Sequence, residues 1–288
     1  MPIATAWLTG ALPWNPPPFT EAAPWTLVPR AEGRWPNTVL LIASTPRSGS
    51  SLLCRGLEAN GHVGAAREYF EMGMISRHRV EWGVPRLTLR GRAGAVKRRI
   101  AGHPSWWDSP RYTTSSMEAY RDGLVAAVTS PTGWFPVKIH FRAYELLRGG
   151  PWDPLAWGIP VRWVHIRRND ILRQAVSLIR ARQTGAWSST ARARKPPHFD
   201  RDGITSAIDE LRRSEVGWSA LFAAQGVEPI EVVYEVLAAN YQSEVDRVAG
   251  ELGLPAAEIP SPPLARQADE LSEEWVSRYL ASTEGFAV

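Results

Sequence analysis

Residues 39–61 read VLLIASTPRSGSSLLCRGLEANG, and the way this stretch divides decides the fold. VLLIAS, extended back to Thr38, is a continuous apolar run, as expected of a strand covered on both faces. TPRSGSS (45–51) breaks the run, and helical spacing then resumes. A strand, a short Gly/Ser loop and a helix form the layout of an anion-binding turn. Gly49 lets the backbone turn tightly and its amides approach an anion. The helix directs its positive end at the same point. Ser48, Ser50 and Ser51 add hydroxyls, and Arg47 adds charge. A triphosphate loop also recruits a lysine and Mg²⁺. Here Ser50 and Ser51 stand where the lysine would be expected, and no carboxylate is placed like a metal-holding aspartate. A phosphate–sulfate group of one or two charges suits the loop better.

Working outward, three more apolar runs read as buried strands: PVKIHF (136–141), VRWVHI (161–166) and PIEVVY (229–234). Helical patterns lie between them, at 51–60, about 115–128, 170–183 and 204–226. Leu172, Val176 and Ile179 share one face of the third; Ile204, Ile208, Leu211, Trp218, Leu221 and Phe222 share a face of the fourth. Strands alternating with helices predict an α/β fold, a mostly parallel P-loop-like sheet flanked by helices. Ligands bind such sheets at the carboxyl ends of the strands. The expected organisation is a Pro/Trp-rich N-terminal arm over 1–36 and a single domain over 37–288. Residues 81–112 (with Arg90, Arg92, Lys97, Arg98 and Arg99) and 186–203 read as long basic loops.

Composition narrows the function. The chain has 288 residues, 44% hydrophobic and 22% charged, with a net charge of only +4. That excess points to anions at discrete sites and away from a nucleic-acid track. The single cysteine, Cys54, allows no intramolecular disulfide and fits a reducing compartment. No apolar run is long enough for a membrane span, and the proline-broken N-terminus does not read as a secretory signal. The expectation is a cytoplasmic protein. No Cys/His spacing suits zinc, and no metal is expected.

A second segment carries chemistry. VHIRRNDILRQAVS (164–177) ends a strand at Arg167 and Arg168, opens a helix that Asn169 or Asp170 could cap, and places Ser177 about two turns in. An arginine at a strand end can clamp a phosphate with two hydrogen bonds. With the loop, this segment resembles the PAPS-dependent sulfotransferases, specifically the bacterial trehalose-sulfotransferase-like family. GHVGAAREYF (61–70), FPVKIHF, QAVSLIRARQTGAW (174–187), VEPIEVVYEVL (227–237) and RQADELSEEWVSRY (266–279) are similar to that family's segments in the same order, over most of 38–280.

The resemblance implies a sulfotransferase fold, PAPS as donor and PAP as product. Arg47, Ser48, Gly49, Ser50 and Ser51 would hold the 5′-phosphosulfate, and Arg168 and Ser177 the 3′-phosphate. Arg167 has the better strand-end position by eye; Arg168 aligns with the family. Tyr234 would lie near the adenine, and Arg266 and Gln267 would close over the nucleotide. Glu68 falls where the family has its general base. Ser51 replaces a common threonine and Ala66 a usual proline. The resemblance and the proline-rich arm together point to a homodimer.

Sulfuryl transfer is an in-line displacement governed by positioning and charge stabilisation. An alcohol acceptor needs a base within reach of its proton. Glu68 could serve if an apolar pocket, walled by Tyr69 and Phe70, raised its pKa. His140 is the rival base, with Lys138 on the same strand face. Trp106, Trp107 and Trp187 are candidate walls for an acceptor such as a sugar, glycoside or glycosylated natural product. The alternatives are a P-loop-type small-molecule kinase and a non-catalytic PAP-binding relative.

Overall fold

A computed structural model describes residues 36–71, 114–149, 152–187, 191–261 and 270–284. The rest of the N-terminal arm, the basic stretch 81–112, Trp106, Trp107, Arg266 and Gln267 lie outside the described residues.

Among the described residues, four parallel strands form one sheet in the order β2-β1-β3-β4: β1 (Thr38–Ser44), β2 (Trp134–His140), β3 (Val161–Arg167) and β4 (Ile230–Val233). The α/β expectation holds. β1 is central, and Val39 to Ala43 are fully buried, which is why its sequence does not alternate. β2 begins two residues earlier than expected. It is an edge strand in this sheet, where Pro136 can lack an N–H without breaking a ladder.

Helices cover both faces. On one, Leu40, Ile42, Val164 and Ile166 pack against α1 (Ser50–Ala59), and later against α6 (Tyr234–Ala239) and α7 (Tyr241–Glu251). On the other, Leu41, Phe135, Val137 and Trp163 meet α2 (Thr114–Val128), α3 (Phe141–Leu147) and α5 (Arg201–Gln225). α4 (Ile171–Thr184), α5 and α8 (Glu270–Glu284) share a third apolar cluster around Trp275. All six residues expected on the inner face of α5 are buried. That helix starts three residues earlier than its apolar pattern, because Asp200 caps it by accepting from Gly203 N.

The strand order reverses beside β1. β1 leads to β2 on one side, and the chain then crosses to β3 on the other. The crevice at the carboxyl ends of β1 and β3 is therefore the topological switch point, where open α/β sheets bind ligands. The loop 45–49 and the turn after Arg167 both end there. Among the described residues no helix is long and apolar enough to cross a membrane.

Candidate functional site

The loop after β1 leaves donors open. Gly49, at φ 86°, is the N-cap of α1 and has no side chain to satisfy the first turn. Among the described residues no backbone carbonyl accepts from the N–H groups of Gly49, Ser50 or Ser51. Ser48 Oγ is buried and has no hydrogen-bond partner among them. Arg47 adopts φ 65°, a left-handed conformation that costs a non-glycine residue on the order of 1–3 kcal/mol. Gly49 cannot be larger: a Cβ there would lie 2.3 Å from Tyr234 Cδ2. The Tyr234 ring thus packs directly against the loop.

A first cationic group sits on the β3 side. Arg47 Nε donates to Ser177 Oγ at 2.9 Å, and Arg47 Nη1 donates to the carbonyl of Trp187 at 2.6 Å. Arg168 stands over the Tyr234 ring, 4.8 Å from its centroid. Burial, then the charge of Arg168, push the Arg47 pKa down, against a smaller opposing effect of Tyr234. Two guanidinium groups crowd one corner, an arrangement that a bound anion would relieve. Arg167 turns the other way, to Asn169 Oδ1 and to Glu231 at 3.7 Å. The better strand-end position by eye thus belongs to an arginine facing away from the loop. The indole of Trp187 is half exposed at the edge of this corner.

A second group sits on the β2 side. Arg67 bridges to the outer edge of β2, where Lys138 N donates to Arg67 O at 3.0 Å. That contact brings Glu68 to the end of the strand. Lys138 Nζ lies 2.6 Å from Glu68 Oε1, and His140 Nε2 lies 3.2 Å from the same oxygen. Lys138 Nζ also donates to Ser51 Oγ at 3.1 Å, and Ser44 Oγ meets His140 Nδ1 at 3.0 Å. Among the described residues the expected apolar walls do not form around Glu68. Tyr69 and Phe70 turn into the core, where Phe70 stacks on Trp152. Burial raises the Glu68 pKa, but the hydrogen bond and charge of His140, then those of Lys138, outweigh it. The carboxyl is held well below the ordinary carboxylate range, not raised. Both ion contacts use Oε1, and among the described residues neither uses Oε2.

A buried polar strut holds the loop from behind. Gln174 Nε2 donates to Thr45 Oγ1 at 2.9 Å and to Pro46 O at 2.8 Å, and Thr45 Oγ1 donates to Glu215 Oε1 at 3.0 Å. His165 is clasped between Glu215 at 3.1 Å and Glu231 at 3.0 Å. Burial lowers its pKa, but the two carboxylates prevail and push it up to about 9. Sequence reading passed over Thr45, Gln174, His165 and Glu215, because their partners lie 50 to 170 residues away. It placed Lys138 on the same strand face as His140 and gave it no role. The Lys-x-His alternation on one strand was the signal available. Among the described residues no group of three or more His, Cys, Asp or Glu could hold a metal ion.

This crevice belongs to a chain with known relatives. A family model described as Stf0 sulphotransferase matches residues 39–141 and 155–282. A trehalose 2-sulfotransferase of Mycobacterium tuberculosis is 32% identical over 263 residues, 84% of this chain and 94% of that protein. A trehalose 2-sulfotransferase of Mycolicibacterium smegmatis is 30% identical over 265 residues, with the same coverage. Among solved structures, the sulfotransferase domain of the Synechococcus PCC 7002 olefin synthase aligns with a TM-score of 0.46 at 17% identity, covering 88% of this chain and 97% of that one. The sulfotransferase domain from the curacin biosynthetic pathway aligns with a TM-score of 0.45 at 14% identity, covering 83% of this chain and 82% of that one. The family match takes in the loop, the cationic corner and Glu68 alike, and the chain belongs to the Stf0 sulphotransferase family.

Proposed function

We propose that this sulfotransferase takes its sulfuryl group from PAPS and delivers it to a hydroxyl of a small sugar or glycoside. The observation that supports this most is the pairing of an open α1 N-terminus with the Arg47–Arg168 corner beside it. PAPS carries two separate anionic groups, and the crevice offers two separate sets of donors. The loop from Ser48 to Ser51, with Lys138 alongside, would hold the 5′-phosphosulfate. Arg168 and Ser177 would hold the 3′-phosphate. Because Arg47 Nε bonds Ser177, its side chain joins that second set and only its backbone remains with the loop. Tyr234, against Gly49, would border the adenine. Arg266 and Gln267 would close over the nucleotide.

In the transfer, the acceptor oxygen forms a bond to sulfur while the bond from sulfur to the 5′-phosphate oxygen breaks. Glu68 Oε2 would take the acceptor's proton while Lys138 and His140 fix Oε1. Lys138, bonded to both Ser51 and Glu68, is placed to offset charge that develops on the departing phosphate. A carboxylate held this low remains ionised at neutral pH, so its strength as a base rests on orientation more than on basicity.

Two curated relatives are named for trehalose, which makes trehalose the first acceptor to try. Incubation with PAPS and trehalose, then with a panel of glycosides, followed by mass spectrometry, should yield a product heavier by one SO₃ together with PAP. No product across the panel, combined with a thermal shift from Mg·ATP and none from PAP, would overturn the donor assignment in favour of a kinase.

A further inference from the structure

We propose that Glu235 is a positioning residue that makes the site selective for a nucleotide bearing a 3′-phosphate. It rests on the PAPS reading above and extends it to a residue that touches no ligand. Glu235 follows Tyr234 in the first turn of α6. Its carboxylate accepts from Asn169 N at 3.2 Å and from Asp170 N at 3.1 Å, the two amides that follow Arg168. Its Oε1 lies 4.0 Å from Arg168 Nε. The dipeptide 234–235 therefore grips Arg168 from two directions. The tyrosine ring lies beneath the guanidinium, and the carboxylate ties down the turn that carries it.

This grip matters because Arg168 faces another cation. The charge of Arg168 depresses the Arg47 pKa, so the two groups repel while no anion lies between them. Contacts that hold Arg168 in the corner oppose this repulsion. Glu235 does so through the backbone, and it also occupies amides at the α4 N-terminus that would otherwise attract an anion themselves. The 3′-phosphate is thereby directed to Arg47, Arg168 and Ser177.

The test compares the affinities of PAP and 5′-AMP, which differ only in the 3′-phosphate. Both are measured by calorimetry on the wild-type chain, Glu235→Ala and Glu235→Gln, with melting temperatures recorded for each. Wild type should favour PAP strongly. Glu235→Ala should reduce that preference by about tenfold, the scale of a lost charge-assisted hydrogen bond, while 5′-AMP binding changes by less than about twofold. Glu235→Gln keeps one acceptor oxygen and should fall between them; it decides the matter if the alanine variant does not fold. Equal weakening of both nucleotides, an unchanged preference, or tighter PAP binding in Glu235→Ala overturns the inference. The last would mean that the carboxylate competes with the phosphate. A wild-type enzyme with no preference for PAP would overturn the donor reading, and the inference with it.

Discussion

Lys138 Nζ lies 2.6 Å from Glu68 Oε1 and donates to Ser51 Oγ at 3.1 Å, so the strand beside the loop supplies the ammonium group that the loop's own sequence lacks. The missing lysine is therefore no bar to holding a charged donor. It enters from β2, and it ties the proposed base to the proposed anion site.

Replacing that lysine should separate the two. Lys138→Met is expected to lower kcat about 10²–10³-fold, the usual effect of removing one donor from a developing anion. It should also move the acid limb of the pH–rate profile upward. Lys138 is one of two neighbours, with His140, that hold the Glu68 carboxyl low, so its loss lets that pKa rise part of the way back while His140 still acts. A profile of kcat against pH for both enzymes checks this. An unmoved acid limb would show that the Lys138–Glu68 contact does not govern the base.

Glu68→Gln should lower kcat by roughly 10²–10⁴-fold and leave the KM for PAPS within about threefold. Glutamine keeps the shape and can still meet Lys138, but it cannot take a proton. His140→Asn in the same assay tests the rival. If Glu68→Gln keeps full kcat and His140→Asn loses it, the base is the histidine.

Arg168→Ala should act on binding. Loss of its charged hydrogen bonds to a phosphate corresponds to about 1.5–3 kcal/mol, or roughly ten- to 150-fold in the Kd for PAP. Arg47→Ala should show a similar loss, and the double variant should lose less than the sum, because each arginine repels the other in the free enzyme. Titration of all three variants with PAP measures this. Strict additivity would mean that the two guanidinium groups do not share one anion.

Much of the framework was legible because its signals are local. The four apolar runs became four strands, and the Gly49 turn became an uncapped helix start, since periodicity and glycine placement act within a few residues. The environment of Glu68 was not legible. Its aromatic neighbours in sequence pack into the core, and its charge partners come from β2, brought close by the bridge at Arg67. The same limit hid the side-chain direction of Arg47 and the whole strut behind Thr45. Chain position showed which residues lie near the strand ends. It did not show which arginine of the 167–168 pair turns inward, because adjacent residues of an extended chain point to opposite faces and only the packed sheet names those faces.

That strut predicts a stability profile. His165 has one carboxylate on each ring nitrogen, so both must donate and the ring must carry its charge. The groups facing it are Glu215 from α5, Glu231 from β4 and the Phe222 ring; Arg167 lies beyond Glu231. Because its pKa is raised from the ordinary histidine value of roughly 6.5 to about 9, the ion cluster stabilises the fold fully below the former and is lost as pH rises through the latter. The contribution is on the order of 3 kcal/mol, less the solvent screening at half-exposed Glu231. Urea unfolding across this range should show a midpoint that falls as pH approaches and passes about 9. His165→Gln, which carries no charge to lose, should start lower and stay flat by comparison. Because the strut also anchors Thr45, the same variant should bind PAP more weakly than wild type at neutral pH and differ less from it above about pH 9, once the wild-type ring has itself lost its proton. Parallel curves for the two proteins at every pH would show that His165 is neutral in the fold and that the carboxylates beside it are held by other means.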